Sequence, residues 1–558
     1  MRALKVLPLI LAFFVMARAQ CAQHSTNRTQ TEVVDRIVAQ EQAEMESLRQ
    51  YSPLIETYIQ TRRSDKQVGV TPSGDKYFLG RALLANGVEL VPLAKDTRSK
   101  HTLLMGGLAN LLSMEFVSKG FLQMIYVDTN GFDRNHYDFS YVRREFLGEV
   151  RCLVFDVSPR VKSEKGRFVG RIWVEDQDFH IVRFNGIYNG SSIFSHYFSF
   201  DSWRQDSGKN GWLPAVIFNE EGNVQYPVAR RQISPPFRAQ TRLWGYALSR
   251  VPKEQELSRV LVETPVTDQT ENAYDYSPLQ GERSWARQAE DNVVERLETL
   301  GLMAPFGEVD KILEVVVNNL EVSNGLDVQP PPRCRVLVTS TFESYAMGHT
   351  IILSRGLIDV LPDEASLAVI LAHALAHIVL GHRMDTQFAF FDRLHFDEKE
   401  TFRHFGFSMT PDDELAANRK GLELLMKSPY KDQLIRAQCF LKVLKSRSKE
   451  IPNLINPHLG NGIPTDWTIT QGPCDQPSIG NVASVGAPAS FFALPLGARI
   501  KLEPFDGQLR LLKLKPTGLA AEYEKMPFEV TPVMLYLTRQ HDGLASQVPT
   551  EPSTTPDQ

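Results

Sequence analysis

Two histidines, His373 and His377, are the residues of this sequence best placed to do chemistry, because they lie four positions apart. On an α-helix, residues at i and i+4 share one face, so both imidazoles could bind a single metal ion. In metal sites of this HExxH type, the residue after the first histidine is a glutamate that acts as the general base. Here Ala374 occupies that position, and alanine exchanges no proton. The pattern therefore predicts a metal site without its acid/base group.

The segment that carries the two histidines is predicted to be a buried helix. From Asp363, an acidic residue favourable at a helix start, to Gly381 it is apolar nearly all round. Buried imidazoles need partners, because an unpaired polar group in an apolar environment costs free energy. Backbone carbonyls or a shared metal ion could be those partners, and the pair alone does not decide between them. Glu414, on a second predicted helix, favours the metal, since two histidines and a glutamate are a zinc ligand set with one position open.

A family resemblance strengthens this interpretation. The stretch from Ile351 to His382 reads IILSRGLIDVLPDEASLAVILAHALAHIVLGH, and the stretch from Glu414 to Leu425 reads ELAANRKGLELL. Together they resemble the motifs of the gluzincin zinc metallopeptidases, which include the CaaX prenyl protease, the heat-shock membrane protease and a periplasmic outer-membrane-assembly protease. The resemblance covers roughly residues 285–450. It implies a mostly helical zincin-like domain with a small sheet, and one zinc ion held by His373, His377 and Glu414.

The sequence departs from that family at two positions. Ala374 replaces the general base, and Asn418 stands where the family has an aspartate that is implied to orient a ligand histidine. An asparagine can still accept a hydrogen bond from histidine, but it brings no charge, so we expect a less basic ligand. The family's downstream His-Pro segment with its arginine is matched only weakly, by the residues from Asn456 to His458.

Three other side chains are candidates for a replacement base. Glu364 and His382 each lie nine residues from His373, and nine residues of helix turn about 900°, so both are predicted to point away from its face. Asp413 is predicted to diverge from Glu414 by about 100°. No catalytic residue is therefore assigned. Loss of a general base typically lowers a rate by ~10²–10⁴-fold.

The N-terminal half has a different pattern. After a predicted helix over about residues 31–50, short aromatic and β-branched runs alternate with turn residues, which is typical of antiparallel hairpins. The clearest runs are Phe168 to Val174, Phe179 to Phe184, Phe198 to Trp203 and Trp212 to Phe218. The segments GRIWVEDQDFHIVRFNG and Trp212-Leu213-Pro214 resemble the outer-membrane lipoprotein-carrier fold, a half-barrel whose apolar face holds acyl chains. A filled sheet is the alternative, and patterning alone does not distinguish the two.

The predicted fold class is α+β multidomain: an antiparallel β-rich domain followed by the zincin-like peptidase domain. The predicted order is a signal peptide over residues 1–19, an N-terminal domain over 20–262, a linker over 263–284, the zincin-like domain over 285–450, a C-terminal β-containing region over 451–548 and a disordered tail over 549–558.

The N-terminus and the composition predict where the chain acts. Arg2 and Lys5 precede an apolar run from Val6 to Met16, and the residues from Ala17 to Ala19 fit a signal-peptide cleavage site. An uncleaved anchor is the alternative, but the run is shorter than the ~20 residues that span a bilayer. We therefore expect an exported protein of the cell envelope, in the periplasm or outside the cell, free or membrane-associated. Five cysteines allow a disulfide there. The net charge of −5 and the lack of a basic block argue against nucleic acid as a partner.

Three functions follow from these observations. The first is a zinc-binding pseudoenzyme that binds a peptide or an outer-membrane protein without cutting it. The second is an active zinc endopeptidase, a hydrolase with an unorthodox base. The third is an envelope protein that binds lipid or lipoprotein through its N-terminal domain.

Overall fold

The computed structural model describes most of the chain. Its described residues are 30–65, 69–93, 116, 118–129, 131–161, 164–190, 198–222, 224–225, 232–248, 278–382, 407–456, 459–470, 499–512 and 528–539. The predicted signal peptide, Cys21 and the predicted tail lie outside these ranges. No helix in the described ranges is long and apolar enough to cross a membrane.

The described residues form seventeen strands and nine α-helices. The strands are β1 (Leu54–Asp65), β2 (Gly69–Leu83), β3 (Glu89–Pro92), β4 (Tyr137–Leu147), β5 (Val150–Pro159), β6 (Phe168–Glu175), β7 (Ile181–Tyr188), β8 (Phe200–Asp206), β9 (Trp212–Glu221), β10 (Val224–Gln225), β11 (Gln232–Ser234), β12 (Phe237–Trp244), β13 (Arg333–Leu337), β14 (Ser344–Met347), β15 (Thr350–Ser354), β16 (Ile500–Leu502) and β17 (Leu509–Leu511). The helices are α1 (residues 30–48), α2 (Ser118–Gln123), α3 (Pro278–Thr299), α4 (Glu308–Asn324), α5 (Arg355–Val360), α6 (Glu364–Val379), α7 (Pro411–Lys427), α8 (Leu434–Arg447) and α9 (Pro452–Ile455).

These elements group into two compact units, and the predicted α+β class is confirmed. The first unit contains the described residues of 30–48, 124–214 and 534–539, and the second contains those of 49–123 and 215–533. The units are interleaved along the chain, whereas the sequence predicts consecutive domains; those boundaries stay a prediction. The predicted linker over 263–284 overlaps α3, which already begins at Pro278.

The first unit is an antiparallel meander. Strands β4 to β8 pair in chain order, with Phe155 opposite Ile172 and Ile172 opposite Phe184. The turn between β6 and β7 is closed by the buried carboxylate of Glu175, which accepts hydrogen bonds from the backbone N–H groups of Gln177, Asp178 and His180. The hairpins predicted from the runs around Phe168 to Trp203 are therefore present.

Aromatic rings fill the buried face of this meander. Phe184 packs edge-on against Phe200 at 5.7 Å between ring centroids, and Phe168 lies 5.9 Å from Phe184. Gly170 and Gly186 make room for this layer, because a Cβ at either position would come within 2.8 Å of the Phe168 ring. At these strands the packing favours a filled sheet over a hollow one.

Helix α1 is held in the first unit by buried charge. Arg204 and Glu41 have fully buried side chains and form a two-pronged ion pair, with both N–O distances 2.7 Å. One helical turn further on, Glu44 lies 3.0 Å from His180 Nδ1. Removing one partner of such a buried pair typically costs ~3–5 kcal/mol, because the other charge is left without compensation.

The second unit joins N-terminal strands to the predicted peptidase domain. Strands β9, β12, β1, β2 and β3 pair antiparallel in that order. Strands β1 and β2 were not predicted, because Glu56, Gln60 and Arg81 are buried in them and interrupt the apolar alternation. Glu56 accepts hydrogen bonds from the backbone N–H and the hydroxyl of Ser340, both at 2.6 Å. The buried carboxylate on β1 thus has its partner almost three hundred residues later in the chain.

The rest of the second unit is a small sheet with helices around it. β15 lies between β13, to which it is parallel, and β14, to which it is antiparallel. The next helix, α5, starts at Arg355, whose buried guanidinium donates to the Val338 carbonyl and to Asp359 at 2.9 Å. Gly356 follows in direct contact with the backbone of Ser340. The Arg-Gly-Leu turn, Arg355 to Leu357 at the start of α5, therefore fixes the approach to helix α6.

Two of the five cysteines are free and buried, and one is disulfide-bonded. Cys334 lies on β13, and Cys152 lies on β5. Cys439 on α8 is disulfide-bonded. The disulfide that the sequence allows is therefore present at Cys439.

Replacing Gly356 with alanine tests the close packing of the Arg-Gly-Leu turn. The new Cβ would lie 1.9 Å from the Ser340 carbonyl oxygen, so backbone must move. We expect Gly356→Ala to lower the free energy of unfolding by ~1–3 kcal/mol, as overpacking does. Thermal denaturation would measure this. Gly120→Ala is the control, because nothing lies within 4 Å of its Cβ. Equal melting temperatures for both variants would contradict the prediction.

The contact between Glu44 and His180 predicts a pH dependence of the first unit. Burial alone would lower the pKa of His180, but the hydrogen bond and charge of Glu44 outweigh it and raise the pKa above 6.5. Burial also raises the pKa of Glu44. The folded state therefore binds more protons than the unfolded state, so stability falls as pH rises from about 6.5 through the folded pKa of His180.

Melting temperatures measured from pH 6 upward would check this. His180→Gln should flatten the decline, whereas His136→Gln, at a histidine with a 39% exposed side chain, should keep it. A stability that rises over the same interval would contradict the assignment.

Candidate metal centre

Helix α6 brings the two histidines of the sequence motif together. Asp363 caps its first turn by accepting the Ser366 N–H at 2.8 Å, and all its residues from Ala365 to Ile378 are buried. The Nε2 atoms of His373 and His377 lie 3.2 Å apart, with ring centroids separated by 4.9 Å. Both rings therefore direct the same nitrogen to one point.

Helix α7 supplies the third group. Thr410 caps this helix by accepting the Asp413 N–H, and Pro411 occupies its first turn, so Glu414 stands near the helix start. One carboxylate oxygen of Glu414 lies 3.1 Å from Nε2 of His373, and the other lies 3.6 Å from Nε2 of His377. The structure thus places the three sequence-predicted ligands within reach of one ion.

Small residues let helix α7 approach helix α6 this closely. At Gly421, a Cβ would sit 3.3 Å from the Ala372 carbonyl oxygen and 3.1 Å from the Trp467 ring. A larger side chain would push the two helices apart. The sequence gives Gly421 no obvious role, and only the crossing of the two helices reveals one.

The three donor atoms fit a zinc ion. Zinc binds nitrogen and carboxylate oxygen at ~2.0–2.2 Å in tetrahedral sites, so two ligand atoms should stand ~3.2–3.6 Å apart. The two Nε2 atoms are 3.2 Å apart. The two Glu414 oxygens share the histidines between them, one lying 3.1 Å from Nε2 of His373 and the other 3.6 Å from Nε2 of His377. Among the described residues, this is the one group of three histidine, cysteine or acidic side chains able to hold a metal.

The protonation states also suit metal binding. Burial and the neighbouring His373 lower the pKa of His377 to about 4, so this imidazole is neutral at physiological pH. For Glu414, burial would raise the pKa, but the hydrogen bond with His373 outweighs it and the net pKa is lowered. Neutral imidazole and ionised carboxylate are the forms that bind metals.

The loop over residues 459–470 lies beside the three donors. Asn461 donates a hydrogen bond to Glu414 at 2.8 Å, and the Trp467 ring lies 5.8 Å from that of His373. The loop is held by the buried Gln438 of α8, which accepts the Ile469 N–H at 2.6 Å. Sequence analysis missed these residues because their roles depend on contacts between distant segments. Of the weak match from Asn456 to His458, residues 457–458 lie outside the described ranges.

The general-base position on α6 carries no acid/base side chain. Ala374 is buried on α6, next to His373, and its methyl group has no acid/base function. Glu364, as predicted, is engaged elsewhere, since it accepts a hydrogen bond from the Tyr430 hydroxyl at 2.8 Å.

The prediction that His382 points away was wrong. Its Nδ1 lies 2.9 Å from Nδ1 of His377. The helical extrapolation failed because α6 ends at Val379, and Gly381, at φ +68°, turns the chain back. Asp413 does diverge from Glu414, and it lies 3.4 Å from Nε2 of His382.

Asn418 makes no hydrogen bond to histidine among the described residues. Its Oδ1 is buried without a hydrogen-bond partner, and so is Nδ1 of His373. The residue at the Asp-to-Asn departure therefore gives neither atom a partner.

Comparison with known families decides which class of site this is. Residues 305–451 match the family model of Peptidase family M48. This segment is similar to zinc metallopeptidases of that family. The resemblance to zinc metallopeptidases is thus confirmed, over nearly the range predicted for it. The M48 segment contains α6, α7 and all three candidate zinc ligands, and M48 is a zinc-dependent family.

Other comparisons add little. No curated protein matches the chain. Among solved structures, it is similar to a DUF1329 family protein from Desulfovibrio piger, at 9% identity over 38% of this chain and 90% of that chain, with a TM-score of 0.19. A likeness at that TM-score carries no argument, so the lipoprotein-carrier resemblance of the N-terminal half stays a prediction.

Metal content is the direct test of the M48 site. We expect the purified protein to carry about one zinc ion per chain, because three donors converge at tetrahedral spacing. Elemental analysis would measure it. His373→Ala and Glu414→Ala should lose the metal, whereas His349→Ala, which removes a histidine outside this group, should retain it. Equal zinc in all four proteins would show that the ion is bound elsewhere.

Proposed function

We propose that this chain is an exported, zinc-binding member of a metallopeptidase family that binds polypeptide without hydrolysing it. The observation that carries the proposal is Ala374, which stands at the general-base position beside three converging metal ligands. When bound, zinc supplies a Lewis acid that can polarise a carbonyl group. His373, His377 and Glu414 would hold that ion, but no described residue next to it can act as a base.

The described acid/base groups nearby do not replace the missing glutamate. His382 contacts His377 at Nδ1, whereas the metal-facing atom is Nε2, so His382 lies behind the ligand. Asp413 faces His382, and Glu364 is bonded to Tyr430. Without a positioned base, hydrolysis should be slower by ~10²–10⁴-fold.

Polypeptide is the proposed ligand because the M48 match supports a peptidase-type site. The aromatic ring of Trp467 and the amide of Asn461 flank the ligands, which gives an apolar wall and a polar group at the centre. A peptide or an unfolded outer-membrane protein would present both apolar side chains and backbone amides to such a site. Binding of lipid or lipoprotein through the N-terminal strands stays a prediction.

Export is proposed on two grounds. The N-terminal residues have the pattern of a signal peptide. The disulfide at Cys439 supports an oxidising compartment, because cytosolic reductants keep most thiols reduced. The periplasm or the cell exterior satisfies both.

Restoring the base tests the loss of hydrolysis. We expect the wild-type protein to bind fluorescently labelled casein without cleaving it, and Ala374→Glu to cleave it at least ~10²-fold faster than wild type, because a general base is worth that much. Fluorescence anisotropy would report binding, and release of labelled fragments would report cleavage.

Ala374→Gln is the matched control, since it adds the same volume at this buried site without a base. It should bind casein and leave it intact. Rapid zinc-dependent cleavage by the wild-type protein would overturn the proposal and favour an active endopeptidase with an unorthodox base.

A further inference from the structure

A third histidine lies directly behind the candidate ligand His377. The backbone N–H of His382 donates to the His377 carbonyl at 3.0 Å, in the turn that ends α6. The two rings stand at 70° with centroids 5.0 Å apart, and their Nδ1 atoms are 2.9 Å apart. One imidazole N–H must therefore lie between these two nitrogens.

Asp413 stands on the far side of His382. Its Oδ1 lies 3.4 Å from Nε2 of His382, while its Oδ2 accepts the Thr410 hydroxyl at 2.7 Å. Asp413 immediately precedes the candidate ligand Glu414 on α7. The first turn of one helix thus reaches the metal centre twice, once directly and once through His382.

Proton counting along this line gives one consistent arrangement. Oδ1 of Asp413 faces Nε2 of His382, so the tautomer with its proton on Nε2 points that N–H at the carboxylate and leaves Nδ1 as an acceptor. That acceptor takes the N–H of His377 Nδ1. His377 is left with a lone pair on Nε2, the atom that faces His373 and Glu414.

From this geometry we propose that His382 and Asp413 are positioning residues that fix the tautomer and ring orientation of His377 for zinc. The inference rests on the zinc site in the proposed function. Neither residue touches the ion or a substrate; both act through His377. Outer partners of this kind are typically worth 10- to 100-fold in metal affinity.

The chain of contacts from His377 through His382 to Asp413, called the relay below, makes the two ligand histidines unequal. Nδ1 of His373 is buried without a hydrogen-bond partner, and so is Oδ1 of Asn418, the residue at the position implied to orient a histidine. Orientation therefore rests on His377 and its partners. We expect Asn418→Ala to change zinc affinity less than His382→Ala does.

Zinc affinity of the purified full-length protein tests this relay. It would be measured by competition with a chromophoric chelator, together with the visible absorption spectrum of the Co²⁺-loaded protein. His382→Ala should weaken zinc binding by ~10- to 100-fold, and Asp413→Asn should weaken it in the same direction. Both should alter the Co²⁺ spectrum, because the orientation of a ligand changes.

Two further variants separate positioning from a merely structural role. His382→Asn offers an amide oxygen that can accept the His377 N–H, so it should recover most of the lost affinity. Asp412→Asn is the control for Asp413, because Asp412 is an exposed acid in the same helical turn, and it should leave both readouts unchanged.

The outcomes distinguish this inference from the proposed function. A wild-type protein that binds no zinc overturns both. A wild-type protein that binds zinc, with His382→Ala and Asp413→Asn binding it equally tightly, overturns the relay alone. If His382→Ala fails to fold, the other two variants decide. Unchanged zinc affinity in Asp413→Asn, or a strong loss of zinc affinity in His382→Asn, overturns the relay.

Discussion

The burial of helix α6 is the constraint on which the site depends. A helix buried on every side leaves no water to satisfy two imidazoles, so their partners must come from other elements. Helix α7 provides Glu414, and the turn after α6 provides His382. The close crossing at Gly421 makes this possible, because the carboxylate reaches the histidines only where the two helix backbones nearly touch.

A second buried polar network holds α5, the short helix that precedes α6, in place. Arg355 lies 3.6 Å from Glu56 on β1 and 2.9 Å from Asp359, and all three are at most 1% exposed. Breaking such a network leaves an uncompensated charge inside the protein. A similar link joins Asp75 on β2 to the backbone N–H of Asn453 on α9. The N-terminal strands are thus part of the scaffold of the metal centre, which explains why they group with it in one unit.

Local patterns predicted the parts of the fold that local chemistry determines. The start of α6 near Asp363 and the meander around Phe168 to Trp203 could be read from the sequence, because helix-start residues, turns and periodicity decide them. Pairings between distant segments could not be read in this way. Strand β1 carries buried polar residues whose partners are far along the chain, and the reversal at Gly381 placed His382 where a continuous helix would not.

A peptidase-type site without its base still has a physical role for a metal. Three donors from two helices would make a bound ion a cross-link between α6 and α7, and structural zinc sites contribute directly to folding free energy. The substitution at Ala374 removes a group that would face the ion, whereas the groups behind the ligands, His382 and Asp413, are kept. This geometry underlies the proposal that the site holds a polypeptide without cutting it.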